Sequence, residues 1–264
     1  MSTASPEPAI TPRLGDLFLA TFTKLASVQP GERVLDLCAR GGEALLAAAR
    51  RSGVDGEQLA LDTDQERLEA LVRRAGEAGH TALRGEVSDA VKLPGPRSYW
   101  DIVLCHLSFP LLTDAAASLA ESVRVLRPVG RIAVSVFGER ARCPLITIFL
   151  DALKPFVPGV DAFDKALFRY SEVGRLANTL ADAGFEDCVP ERFTEWPAFA
   201  SVDEYWTTIT SDSRFTPLAA SLTESQIIEA KATIETKSRF YRRGTGLEFK
   251  VEGAIIAAVK GERA

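Results

Sequence analysis

The sequence predicts a doubly wound α/β fold, and three observations carry that reading. Between residues 33 and 137 short apolar runs alternate with amphipathic stretches, the rhythm of a parallel sheet covered by helices. The first run, Val34-Leu35-Asp36-Leu37, turns through Cys38-Ala39-Arg40-Gly41-Gly42 into a helical segment that starts at Glu43. The second, Gln58-Leu59-Ala60-Leu61, ends at Asp62, 20 residues beyond Gly42. A strand, a tight loop and a helix N-terminus present unpaired N–H groups and a positive dipole end to a ligand. A carboxylate at that spacing is placed to accept from ribose hydroxyls. Together they indicate a nucleoside-containing cofactor without saying which.

From Thr11 to Ser27, Leu14, Leu17, Phe18, Phe22 and Leu25 recur at threes and fours, which predicts an amphipathic helix. Gln29-Pro30-Gly31-Glu32 then turns into a strand over 33–37, followed by helix to Arg51 and strand over 58–61. A charged amphipathic helix over 65–78 and strands over 81–87 and 100–105 come next. Ile102-Val103-Leu104 is continuously apolar, as burial on both faces requires. The helix over 114–126 is stopped by Pro128 and Gly130, and a strand follows over 131–137.

Beyond Gly138 the rhythm changes. Helix is predicted over 144–153, loop or cap over 154–170 (Pro155, Pro158 and Gly159), and helix over 171–183 closed by Gly184. A strand over 185–193, helices over 201–209 and 224–241, and a last strand over 247–259 complete the chain. The chain thus reads as one domain, 1–264, with an N-terminal helical segment, 1–28. Residues 138–170 and 196–244 are insertions the size of a lid over the carboxyl ends of the strands, where open α/β sheets bind ligands.

Composition narrows the function classes. Hydrophobic residues at 46% and charged residues at 25% allow a sizeable core. A net charge of −5 argues against a general nucleic-acid binder. Met1 to Arg13 lacks the apolar segment of a signal peptide, and no apolar run reaches the roughly 18 residues of a membrane helix. Cys38, Cys105, Cys143 and Cys188 have no CxxC spacing and only two His are present, so no structural metal site is expected. Reduced thiols fit a cytoplasmic protein.

On these residues the chain resembles the class I S-adenosylmethionine-dependent methyltransferases, above all the ubiquinone/menaquinone-biosynthesis C-methyltransferase group. The resemblance covers about residues 14 to 260. Val34 to Gly42 matches the family's cofactor loop and Asp62-Thr63-Asp64 its ribose site. Ser88-Asp89-Ala90-Val91-Lys92-Leu93-Pro94, followed by Trp100-Asp101-Ile102-Val103, matches its adenine-binding segment. Glu121 to Arg131 matches a helix–turn–strand signature, and Leu180 to Phe185 a late helix–strand junction. Five matches in order are far more specific than any one glycine loop.

The resemblance implies a seven-stranded sheet of order 3-2-1-4-5-7-6 with the last strand antiparallel, and S-adenosylmethionine as cofactor. It also implies roles. Asp36 would orient the methionine amino group, and the backbone of Cys38, Ala39, Arg40 and Gly42 would meet the carboxylate end. Asp62, with Thr63, would take the ribose hydroxyls. Asp89 would accept from the adenine amino group, with the Ala90 N–H on the ring. The implied reaction is methyl transfer to a small, apolar or aromatic metabolite by in-line displacement, through positioning and desolvation. Expected partners are a small-molecule acceptor, no nucleic acid and no membrane span, with a homodimer left open.

The chain departs from the family where Arg40 and Val129 replace glycine, Ser88 replaces glycine, and Cys38 stands for Gly or Ala. Arg40 matters most. Glycine there permits positive φ and close backbone approach, and Gly41 is expected to take over that torsion. The Arg40 guanidinium either clamps the methionine carboxylate or fills its site. The alternative function is therefore a repurposed fold with altered cofactor binding.

His106, just past the fourth strand, is the one base candidate and a candidate cofactor contact, the bland reading being a hydrogen-bonded wall residue. His80 lies in a surface turn, and Glu43 reads as a first-turn acid. No Asn/Asp-Pro-Pro-Tyr/Phe motif follows the fourth strand, which argues against the adenine- or glutamine-type amino methyltransferases. Trp196, Phe199, Tyr205 and Trp206, with Phe149, Phe156, Phe163 and Phe168, line either an apolar pocket or the core of the lid. A dinucleotide oxidoreductase is disfavoured, because Cys38, Arg40 and Glu43 occupy its three glycine positions.

Overall fold

The computed structural model describes residues 13–262. The first two residues of the expected first helix, Thr11 and Pro12, lie outside them. The strands are β1 (Arg33–Asp36), β2 (Glu57–Asp62), β3 (Leu83–Val87), β4 (Trp100–Cys105), β5 (Leu126–Phe137), β6 (Phe185–Glu186), β7 (Glu191–Glu195), β8 (Ala198–Phe199), β9 (Arg242–Arg243), β10 (Gly246–Glu248) and β11 (Val251–Lys260). The main sheet runs β3-β2-β1-β4-β5-β11, with β6 and β7 both on the outer edge of β11. Strands β1 to β5 pair in parallel, and β11 is antiparallel to β5. This is the expected order, with an antiparallel last strand.

Alternate residues of the central strands feed two cores. Val34, Ile102, Leu104 and Ala133 join one. Leu35, Val103, Cys105 and Val134 join the other. Helices α1 (Leu19–Ala26), α2 (Glu43–Ser52), α3 (Gln65–Glu77) and α5 (Pro144–Leu153) contribute to the first, and α4 (Ala115–Val125) and α7 (Val173–Asp182) to the second. The carboxyl ends of β1, β2 and β4 meet at one edge of this sandwich.

Four boundaries differ from expectation. The first helix is broken: a single turn, Leu14–Asp16, precedes α1, because Phe18 adopts φ +60° and sends its N–H to Glu195 Oε1 at 2.9 Å. Strand β5 starts five residues early and carries a register shift opposite Trp100–Ile102, so Pro128 lies within the strand. The strand expected over 185–193 splits into β6 and β7 where Asp187 turns left-handed at φ +58°. The last strand begins only at Val251, since Gly246–Glu248 joins β8 and β9 in a separate small sheet.

The segment read as loop over 154–170 contains α6 (Val160–Leu167). The later insertion forms α8 (Val202–Ser211), α9 (Thr216–Ala219) and α10 (Glu224–Lys237). Its aromatic side chains pack together. Phe149 meets Trp206 at 5.5 Å between centroids, Tyr205 meets Phe249 at 4.8 Å, and Tyr205 Oη donates to the Leu145 carbonyl at 2.6 Å. Phe199, Tyr205 and Trp206 are buried in this core, whereas Trp196 is exposed. The rings are the glue between the two insertions, so they do not line the ligand cavity. Large apolar surfaces on both segments have no other place to be buried.

Candidate functional site

The loop after β1 is held by backbone hydrogen bonds that tie three strand ends together. Leu37 N donates to Leu104 O at 2.9 Å, Ala39 N to Leu61 O at 2.8 Å and Gly42 N to Ala39 O at 2.6 Å. Gly42, at φ +79°, caps α2, and a Cβ there would come within 2.1 Å of Leu71. Arg40 itself holds φ +49°. The expectation that Gly41 would absorb this torsion is overturned. The turn at Arg40 aims its N–H at Asp62 Oδ2, 3.0 Å away, and that bond fixes the left-handed residue.

A cavity of about 410 Å³ opens beside this loop. Its walls are the loop itself, residues 13–15, Glu43 and Ala44 at the start of α2, His106 and Ser108 after β4, one face of α3 and the segment 211–214. Asp36, Cys38, Ala39, Arg40 and His106 all line it; Gly42, Asp62, Thr63, Asp89 and Ala90 do not. From the insertions, only 211–214 reaches it among the lining residues; none of 138–170 does.

Asp36 is buried and its Oδ1 accepts from Cys38 N at 3.3 Å. Burial pushes its carboxyl up to about 7; the Cys38 N–H opposes the shift, and the charges of Asp62 and Glu43 add to it. Arg40 lines the same cavity. Its Nε is buried without a hydrogen-bond partner, and among the described residues no hydrogen bond or ion pair engages its guanidinium. A cavity that carries an acid titrating near 7 and a guanidinium that makes no hydrogen bond can bind a ligand with one cationic and one anionic group.

His106 has both ring nitrogens in use. Nδ1 lies 2.7 Å from Ser135 Oγ, and Nε2 lies 3.2 Å from the Gly15 carbonyl. A carbonyl only accepts, so Nε2 carries the proton and Nδ1 accepts from Ser135, whose Oγ in turn accepts from Leu107 N at 2.9 Å. Burial, then the charge of Arg214, lowers the ring to about 3. The imidazole is neutral and has no lone pair free for a substrate proton, so the general-base role expected for it has no support in this geometry. The wall reading describes it better.

The second-strand carboxylate is where it was expected, but it is engaged. Asp62, its side chain only 2% exposed, accepts from Arg40 N on Oδ2. On Oδ1 it accepts from Asp64 N at 3.0 Å and from the guanidinium of Arg67. Thr63 and Asp89 are exposed. Asp89 Oδ1 accepts from Val91 N at 3.2 Å, and the Ala90 N–H expected to meet a ligand ring donates to Ser88 Oγ at 3.1 Å instead.

Sequence reasoning missed several wall residues. Arg67, Ala70 and Arg74 lie three and four apart on α3 and form one wall; Arg74 Nη1 donates to Gly41 O at 3.0 Å. That spacing was the available signal. Arg214 and Asp212 had none. Arg214 is buried, pairs bidentately with Asp212 and donates to Leu107 O at 3.1 Å, so it ties the late insertion to the end of β4. Among the described residues no three His, Cys, Asp or Glu side chains are grouped to hold a metal ion. None of the helices described is long and apolar enough to cross a membrane.

Comparison with known proteins places this geometry. A family model described as a methyltransferase domain matches residues 34–130. The ubiquinone/menaquinone biosynthesis C-methyltransferase UbiE of Bordetella parapertussis is 30% identical over 171 residues, 61% of this chain and 66% of that protein. The UbiE of Coxiella burnetii is 27% identical over 174 residues, 61% of this chain and 69% of that protein. The chain thus spans about two thirds of the length of these curated relatives. A crystal structure from Bacillus halodurans, BH2331, superposes with a TM-score of 0.62 at 18% identity, over 92% of this chain and 98% of that one. The phosphoethanolamine N-methyltransferase 2 of Haemonchus contortus, in complex with S-adenosylhomocysteine, gives 0.56 at 14% identity, over 94% of this chain and 53% of that one. The loop after β1, the carboxylate that ends β2, the strand order and these matches agree: the chain belongs to the class I S-adenosylmethionine-dependent methyltransferases.

Proposed function

We propose that the cavity holds the methionine end of S-adenosylmethionine between Asp36 and Arg40, and that the chain directs its methyl group to a small-molecule acceptor. One observation carries this reading: a guanidinium that makes no hydrogen bond and a buried acid line the same cavity of about 410 Å³. An α-amino-acid end offers one carboxylate to Arg40 and one ammonium to Asp36, which fits the donor set. Asp62 would take the ribose hydroxyls once its present partner moves aside. When bound, the cofactor supplies a methyl group already activated on a cationic sulfur.

The chain's own residues then have little covalent chemistry to perform. Arg40 and Asp36 orient, residues 211–214 cover the cavity against water, and no side-chain base is required of His106. Because the lid aromatics are consumed in core packing, the acceptor meets Ser211, Ser213 and Ser108 in place of an apolar wall. This supports a small polar acceptor over the apolar or aromatic one expected. The four free thiols suit a reducing, cytoplasmic setting.

A second reading, a repurposed fold that no longer takes the cofactor, is favoured by one observation, the guanidinium already seated on Asp62. A thermal-shift panel of adenosylmethionine, adenosylhomocysteine and a nicotinamide dinucleotide separates the two. Stabilisation by the first two alone supports methyl transfer. A response to none of them moves the assignment to the repurposed fold.

A further inference from the structure

The carboxylate that should meet the ribose is held by a side chain of the same protein. Arg67 stands at the third position of α3, one turn beyond Asp62 in the chain. Its Nη2 donates to Asp62 Oδ1 and its Nη1 to Asp64 Oδ2, the latter at 2.8 Å. The two carboxylates differ in setting. The Asp62 side chain is 2% exposed and that of Asp64 39%. Arg67 Nε is buried and has no hydrogen-bond partner. The guanidinium thus bridges a buried and an exposed acid and is itself incompletely satisfied.

We propose that Arg67 is a latch on the ribose site, closed on Asp62 when no ligand is present and released toward Asp64 when ribose hydroxyls bind. The inference rests on the proposed adenosylmethionine site, whose ribose end it regulates. Release is inexpensive because the Asp64 pair can persist throughout. Asp62 stays satisfied on both sides, since the N–H groups of Arg40 and Asp64 still donate to it. Asp64 also caps α3, accepting from Arg67 N at 3.1 Å, so the parking acid is fixed by the helix that carries the latch. Closed, the latch keeps a buried carboxylate paired. Open, it removes a competitor from the diol. Ligand affinity is therefore lower than the ribose contact alone would give, and removing the latch arginine and removing its parking acid should shift affinity in opposite directions.

The test is calorimetric titration with adenosylhomocysteine of the wild type, Arg67→Met and Asp64→Asn. Methionine keeps the length and removes the charge, and asparagine keeps the helix cap and removes the parking charge. The latch predicts binding roughly fivefold tighter in Arg67→Met, the worth of a partly exposed ion pair, and weaker in Asp64→Asn. Binding by Arg67→Met where the wild type shows none supports it equally. Unchanged or weaker binding in Arg67→Met overturns it, the weaker case making Arg67 a ligand contact. If neither wild type nor variants bind, the cofactor site itself is wrong and the latch falls with it. Thermal melts of all three chains confirm that the comparison is between folded proteins.

Discussion

The backbone N–H of Arg40 donates to the carboxylate of Asp62 at 3.0 Å, so the residue that most departs from a glycine loop is held in place by the acid of the neighbouring strand. One bond joins the proposed methionine end of the site to its proposed ribose end. Its loss should be felt at both.

Asp62→Ala is therefore expected to weaken adenosylhomocysteine by about 1.5 kcal/mol, the lower end of what hydrogen bonds to a charged group contribute. The loss is limited because the variant also frees the site of its ion pair with Arg67. Calorimetry on the folded variant checks this. Unchanged affinity would remove Asp62 from the site.

Ligand affinity should rise with pH. Burial raises the Asp36 carboxyl to about 7 in the free protein, so at pH 6 it is mostly protonated and cannot hold an ammonium. Ionisation on going to pH 7.5 should strengthen binding by up to about tenfold, because each pH unit below the free pKa costs one factor of ten. Asp36→Asn should abolish that slope. A wild type whose affinity is flat over this range contradicts the pairing.

Stability should show two opposed slopes. His106 is lowered to about 3 against an ordinary 6.5, so its contribution is fully present above 6.5 and is lost as pH falls toward 3. Asp36 is raised from 3.8 to about 7, so its contribution is present below 3.8 and is lost as pH rises through 7. Between pH 5 and 6.5 the two partly cancel. Urea unfolding of His106→Gln should show stability falling as pH rises from 5 to 6.5, and of Asp36→Asn the reverse. Parallel slopes in the two variants would refute one of the burial assignments.

Val129 offers a test of backbone strain far from the site. It is a β-branched residue at φ +56°, and it is 66% exposed. Left-handed backbone costs such a residue roughly 1–2 kcal/mol, and little packing offsets that here. Val129→Gly should stabilise the protein by about 1 kcal/mol, read as a higher midpoint in denaturant.

The sheet was legible because buried parallel strands must be apolar along their length, as Ile102-Val103-Leu104 is, and because loop residues announce the crossings. Asp36 and Asp62 were legible for the same reason: each ends such a run. What the sequence hid depends on side-chain direction. Nothing in Arg67 shows that it points back at Asp62, since a turn of helix places a charged residue equally well toward solvent. The aromatics of 196–206 show no periodicity that separates a pocket wall from a core, and packing between the insertions decided for the core. The break at Phe18 and the split at Asp187 are single left-handed residues; a Phe carries no signal for that torsion and a lone Asp only a weak one. Arg40 was the intermediate case. Its importance was readable and its torsion was not, because the partner that fixes it lies on another strand.

The central claim is that Arg40 grips the ligand carboxylate. Calorimetric titration of adenosylhomocysteine into the wild type and Arg40→Gly tests it most directly. The claim predicts binding by the wild type and a loss of roughly tenfold or more in the variant, as for a charged hydrogen-bonded pair, even though glycine relieves the torsion at φ +49°. No binding by the wild type together with a gain in Arg40→Gly would mean that the guanidinium blocks the site, and would contradict the account.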